Sequence, residues 1–239
     1  DEGKAAVSTT GEGNVSIELD GENKLKSGWE HAGLEKNNGG SLTIADEGKN
    51  GKLTAEGGEY GAGIGGGFQG TGSNITISGS EIKATGGKYG AGIGGGFQGT
   101  GSDITITGGE VNATGGKHGA GIGGGQLGNG SDITISGGEI TATGGNCSAG
   151  IGGGLYRKGN NITVSGAAKL NVQGGVEDDH NGAGAGIGDG GSRSTGSYWG
   201  GSPVPGAEVE PDISGLTTGR IEYYAPGADM ENDTPTSTT

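Results

Sequence analysis

The chain has 239 residues, 65 of them glycine, with 28% hydrophobic and only 4% aromatic residues. Its 14 Lys+Arg against 28 Asp+Glu leave a formal charge of −14, which argues against nucleic acid and anionic membrane surfaces, since both need a basic face. The lone Cys147 excludes an internal disulfide, and no apolar run approaches the ~20 residues of a membrane span.

Asp1 opens no recognisable signal peptide, so the chain reads as a mature or excised segment. Its N-terminal part carries irregular strand signals. Val15-Ser16-Ile17 and Leu42-Thr43-Ile44 alternate apolar and polar residues, Ala32-Gly33-Leu34 matches the later Ala62-Gly63-Ile64, and Leu53-Thr54-Ala55 alternates again.

From about residue 53 to 170 a 29-residue unit repeats. Its markers are Ile64, Ile93, Ile122 and Ile151, together with Asn74-Ile75-Thr76-Ile77, Asp103-Ile104-Thr105-Ile106, Asp132-Ile133-Thr134-Ile135 and Asn161-Ile162-Thr163-Val164. Fixed-period self-similarity means a stack of like supersecondary units. One unit contains three strand-like segments separated by glycine turns: Ile104–Ile106, Glu110–Thr114 and Gly119–Gly123. No stretch carries the 3.6-residue period of a helix.

These features predict an all-β, right-handed parallel β-helix with three short strands per coil, a 29-residue repeat and essentially no helix. Its inward ladders are Ile75/Ile104/Ile133/Ile162, Ile82/Val111/Ile140/Leu170 and Ala62/Ala91/Ala120/Ala149, and coils should stack ~4.8 Å apart. Such a solenoid reconciles the disorder-like composition with apolar residues that return in register. A polyglycine bundle would need glycine at every third residue, and the period here is 29.

Past residue 170 the pattern weakens. Ala185-Gly186-Ile187-Gly188 closes one more coil after an acidic insertion, Glu177-Asp178-Asp179-His180. The domain reading is therefore a β-helix over 1–190 and a capping segment over 191–230, with Trp199, Pro203, Pro205, Pro211 and Ile221-Glu222-Tyr223-Tyr224 covering the open end. Residues 231–239 read as a Thr/Pro linker.

Several motifs owe their appearance to the repeat. Gly61-Ala62-Gly63-Ile64-Gly65-Gly66 fits the GxGxxG of dinucleotide sites, yet it recurs in each unit and no helix follows it. Gly99-Thr100-Gly101-Ser102-Asp103 is close to a Ca²⁺-binding nonapeptide, but the period is wrong and Ile104 follows Asp103 directly. The Asn74/Asp103/Asp132/Asn161 column reads instead as a ladder of turn-capping Asx side chains. Asn-x-Ser/Thr sequons such as those at Asn14, Asn74, Asn112, Asn161 and Asn232 matter only in a eukaryotic secretory pathway.

The metal candidates are Glu177, Asp178 and Asp179 with Asp189, hard carboxylate oxygens suited to a structural Ca²⁺; the competing reading is an exposed acidic loop. No cofactor is expected beyond such an ion. Catalytic residues are not expected either: His31, His118 and His180 form no nucleophile–base order, and His118 occupies the column of Tyr60, Tyr89 and Cys147. Carboxylates abound, so a glycosidase pair is the enzymatic alternative.

The ligand-binding candidates are Tyr60, Tyr89 and His118 in one column and Phe68 and Phe97 in another, on either side of the glycine strand, with Tyr156 one place beyond the phenylalanine column. They fit a sugar-binding row, but the decay of the columns into His118, Cys147, Gln126 and Leu155 favours an internal ladder that excludes water. Gly63, Gly65, Gly92, Gly94, Gly121, Gly123, Gly150 and Gly152 leave that strand's outward face bare. A glycan, a partner strand or the repeat's own loop could cover it. Thr76, Thr105, Thr134 and Thr163 form a single outward column of the kind ice-binding solenoids use in pairs.

Leu42-Thr43-Ile44, Lys52-Leu53-Thr54-Ala55-Glu56-Gly57-Gly58 and Gly61-Ala62-Gly63-Ile64-Gly65-Gly66-Gly67 together resemble the Gly-rich β-helix regions of Gram-positive cell-surface proteins, across residues 12–190. The resemblance implies an extracellular, adhesin-like or carbohydrate-binding module on the cell surface or cell wall, a monomeric segment of a larger multidomain protein. Its expected partner is a glycan or host surface molecule, with neither nucleic acid nor membrane insertion. The alternatives are a spacer that holds another domain away from the cell wall and a polysaccharide-active β-helix enzyme.

Overall fold

The computed structural model describes residues 3–194 and 202–239. Three parallel sheets run the length of the described chain, and no helix occurs among the described residues. The first sheet comprises Val7–Thr9, Leu34–Lys36, Ile64–Gly65, Ile93–Gly94, Ile122–Gly123, Ile151–Gly152 and Ile187–Gly188. The second comprises Val15–Glu18, Leu42–Ala45, Gly72–Ser78, Gly101–Ile106, Gly130–Ile135 and Gly159–Val164. The third runs from Glu22–Lys26 through Lys52–Glu56, Glu81–Thr85, Glu110–Thr114, Glu139–Thr143 and Lys169–Gln173 to Arg220–Tyr224. Each strand pairs with its counterpart one coil away, so the chain is a parallel β-solenoid with three strands per coil.

Register explains the core. Ile104 pairs with Ile75 and Ile133, Val111 with Ile82 and Ile140, and Ile122 with Ile93 and Ile151. Like β-branched side chains therefore stack on one another, and these residues are buried to within 1%. Each such isoleucine contributes roughly 1.5–3 kcal/mol by leaving water, and five inward columns per coil sum to a continuous apolar rod. The weaker N-terminal coils join in the expected places: Leu42 pairs with Ile75, Leu34 with Ile64, and Leu53 with Ile82.

Two expectations change. The Ala62/Ala91/Ala120/Ala149 column is buried but lies outside the main apolar cluster. The cause is local. Ala62 N donates to Gly66 O, and Ala91, Ala120 and Ala149 repeat the bond, so the glycine segment arches back on itself and stays extended only over two residues. Gly65, Gly94, Gly123 and Gly152 turn that arch with φ of 130 to 134°, a region L side chains rarely enter. The Asx column also differs from a simple cap. Asn74, Asp103, Asp132 and Asn161 adopt φ of 50 to 55° or 56° and drop out of the pairing register, so each bends the second-sheet strand in its middle. Asx residues tolerate this left-handed geometry best among non-glycine types.

The two ends are built differently. At the N-terminal end Val7 is exposed, and Val15, Ile17 and Leu25 are only partly buried. At the C-terminal end Arg220–Tyr224 adds a parallel strand beside Lys169–Gln173, with Ile221 buried on Leu170. Ser237–Thr238, within the stretch read as a linker, pairs antiparallel with Glu222 and Tyr223 and covers that edge. Residues 203–219 cross the last coil through bridges at Glu208, Asp212 and Leu216. Trp199 lies outside the described residues.

Candidate functional site

Two loops flank each glycine arch, and their backbones are zipped together. Phe68 N donates to Glu30 O, Phe97 N to Tyr60 O, Gln126 N to Tyr89 O and Leu155 N to His118 O. Each loop also bonds to its own counterpart in the next coil, as Tyr89 N does to Glu59 O and Gln69 N to Phe97 O. The bare glycine face is closed by this arrangement. Residues 61 to 67 are buried throughout, a Cβ on Gly66 would strike the Gly70 carbonyl, and one on Gly72 would strike Gly94. At the outward positions a Cβ on Gly63 would meet Gly92 O, Thr85 N and Ala55 O and one on Gly65 would meet Gly94 O, so the third-sheet strand ends and the next coil fill the face and leave no groove among the described residues for a glycan or a partner strand.

The aromatic columns meet between the loops. Tyr60 stacks on Tyr89 with centroids 5.2 Å apart, Phe68 on Phe97 at 5.8 Å, and Tyr89 on His118 at 6.2 Å. Across the seam, Phe97 stands edge-on to Tyr60 and Tyr89 at 5.6 Å, and Phe68 edge-on to Tyr60 at 5.4 Å. Edge-to-face and offset stacks are the favoured aromatic geometries. Tyr60, Tyr89 and Phe97 are half-buried in this seam, so they are chiefly an internal ladder.

His118 ends the stack. Its Nδ1 is buried without a hydrogen-bond partner, and burial holds the imidazole below its ordinary pKa. Cys147 continues the column as a buried thiol whose pKa is pushed up to about 12 by burial, with Asp178 adding to the effect. Leu155 ends the phenylalanine column, and Tyr156, one place beyond it as the spacing predicts, is exposed with its hydroxyl on Asn181 Oδ1 at 2.6 Å.

Trp29 extends the exposed part of this edge. It is 57% exposed, its ring lies 5.9 Å from Tyr60, and Phe68 beside Tyr60 is 41% exposed. The repeat hides Trp29, because Gly28 aligns with Gly58 and places Trp29 opposite Glu59, one position before the tyrosine column. The hydrogen bonds His31 N to Gly28 O and Gly61 N to Gly58 O confirm that alignment. Next to Trp29, His31 Nδ1 lies 2.8 Å from Glu35 Oε2. Glu35 takes the place of Gly65 in the register, is almost fully buried, and accepts Ala32 N at 3.0 Å, the donor that a turn carbonyl satisfies in every later coil.

The acidic insertion does not gather. Asp178 accepts His180 N at 2.9 Å and Asn181 N at 2.8 Å, closing its own loop. Burial raises its pKa, but those hydrogen bonds outweigh burial and hold the carboxyl below its ordinary value. Asp189 Oδ1 accepts Gly159 N at 2.9 Å. Among the described residues no group of three or more His, Cys, Asp or Glu side chains is placed to hold a metal ion, so Glu177, Asp178, Asp179 and Asp189 do not form one center. In the Asx column Asn161 donates to Asp132.

The comparisons agree with the coils. A family model described as Beta helix repeat matches residues 49–68, 75–97, 104–126 and 133–155. No curated protein and no solved structure matches the chain. The matched segments are loop-and-strand units of the regular coils whose register is given above, so this part of the chain is similar to β-helix repeats.

Proposed function

We propose that this solenoid is a non-enzymatic extracellular surface module that holds a glycan on the N-terminal part of its aromatic edge, over Trp29, Tyr60 and Phe68. The exposed Trp29 ring beside Tyr60 and the exposed Phe68 carries this reading, because such rings are scarce in this chain and three of them adjoin. A ring of this kind offers its flat face to the C–H side of a sugar. Glu30, His31, Glu59 and Lys88 lie around the patch and supply partners for hydroxyl groups. Lys88 Nζ sits 4.8 Å above the Tyr89 ring and 3.5 Å from Glu59, bridging two coils.

A non-catalytic role is supported by how the buried carboxylates are used. Glu35 holds Ala32 N and His31, and Asp46 holds Asn50 N and Gly51 N at 3.3 and 2.7 Å. Both are engaged with their own loops instead of facing each other across a cleft, as a glycosidase pair must. The extracellular setting and the place within a larger surface protein follow from the resemblance of the repeats.

A broad glycan array tests the reading. Wild-type protein is expected to retain a subset of glycans, and Trp29→Ala and Phe68→Ala each to weaken retention by about tenfold, the effect of ~1.4 kcal/mol. Wild-type protein that binds nothing on the array favours the spacer role instead.

A further inference from the structure

We propose that the cleft at the C-terminal end of the solenoid binds a small organic cation carrying a primary or quaternary ammonium group. The site is separate from the aromatic edge and does not rest on the glycan reading. It lies between the crossing segment that carries Pro205, Glu208 and Glu210 and the terminal strand that carries Tyr223 and Tyr224. Its volume of about 540 Å³ suits a small-molecule ligand.

The floor is bare backbone. Gly174, Gly184 and Gly186 line it, and a Cβ on Gly186 would come 2.9 Å from Tyr223 Cδ1 and 3.7 Å from Glu208 Oε1. An aromatic ring and a carboxylate therefore converge over one glycine. Both are held in place. Glu208 accepts Gly186 N at 2.7 Å and Ile187 N at 3.1 Å, and Tyr223 pairs with Val172 within the third sheet.

The charge in the cleft has one sign. Glu208 and Glu210 line it, and no lysine, arginine or histidine is among the described lining residues. Burial pushes the Tyr223 hydroxyl up to about 12, and the two glutamates add to the shift, as a negative local potential requires. Anions are disfavored there. An ammonium group gains from both the ring face and the carboxylates, while Val209, Pro205 and Pro226 offer apolar contact to its substituents.

Choline chloride is the probe, titrated into the intact chain by calorimetry beside its neutral isostere with carbon in place of nitrogen. Choline is expected to bind at least about tenfold more tightly than the isostere, and to shift the Tyr223 ring resonances. Glu210→Gln, an exposed position that leaves the Glu208 bonds intact, should weaken choline by about fivefold or more, while Glu231→Gln outside the cleft changes nothing. Equal binding of choline and isostere, no binding of choline, or a Glu210→Gln affinity within about twofold of wild type overturns the proposal.

Discussion

The middle coils and the two ends of this solenoid satisfy the same backbone groups by different means. In the middle, repetition does the work: Ile122 N donates to Gly150 O of the next coil, and Ala120 N to Gly124 O of its own arch. At the ends the repeat runs out, and single side chains take over. Glu35 supplies the acceptor for Ala32 N, and Glu208 supplies both acceptors for Gly186 N and Ile187 N, where the next coil's carbonyls would stand. A solenoid thus needs unique polar residues only where its periodicity is broken. Trp29, the most exposed ring of the aromatic patch, and the acidic cleft at Tyr223 lie in those same irregular stretches, which is why we propose binding at the two ends and treat the inner regular coils as scaffold.

The comparison can be broken at several points. The largest effect is expected from Gly123→Ala. That position holds φ of 131°, and a Cβ would strike the Gly152 carbonyl, so a loss of at least about 4 kcal/mol should appear in urea unfolding. A stability within 1 kcal/mol of wild type, roughly the surface-mutation range, would contradict the closed arch. Ile104→Ala removes the middle of a stacked, fully buried column and should cost about 2–5 kcal/mol in the same assay.

Glu208→Ala should cost less, about 1–3 kcal/mol, because it leaves two amides at one end without acceptors. Its signature is local: amide exchange at Gly186 and Ile187 accelerates while Gly121 and Ile122 keep their protection. Uniform acceleration along the solenoid would mean that the end is not an independent unit.

The smallest effect is a pH slope. Burial lowers the His118 pKa from its ordinary 6.5, so below 6.5 the unfolded chain takes up a proton before the folded one does. The stability contribution of neutral His118 is therefore complete above 6.5 and declines as pH falls from there toward the depressed folded value. His118→Tyr, which continues the Tyr60/Tyr89 column, should remove that part of the slope in melting curves from pH 7.5 to 5, a range of about 2.5 units around the His value. Parallel slopes in the two proteins would show that His118 does not titrate on unfolding.

The ladders were legible because a β-branched residue that recurs every 29 positions has one way to satisfy its neighbours. Ile75, Ile104 and Ile133 could be placed from spacing alone, and so could the joining of Leu34 and Leu42 to the stack. The arch at Gly61–Gly66 was not legible, since a run of glycine carries no alternation to read and its path is set by which carbonyls lie nearby. The same limit applied to the candidate site. Tyr60, Tyr89, His118, Phe68 and Phe97 do come together, but Trp29 escaped notice because it stands one place out of its column. Glu208 and Tyr223 meet only through the crossing of two unrepeated segments, which no local pattern announces.

Glycan retention with the irregular edge and the regular coils altered side by side tests the division most directly. The account predicts that Trp29→Ala lowers retention about tenfold, while Thr105→Val with Thr134→Val on the outward threonine column leaves it within about twofold of wild type. Retention that survives Trp29→Ala and falls with the threonine changes would place binding on the repeats and contradict the account.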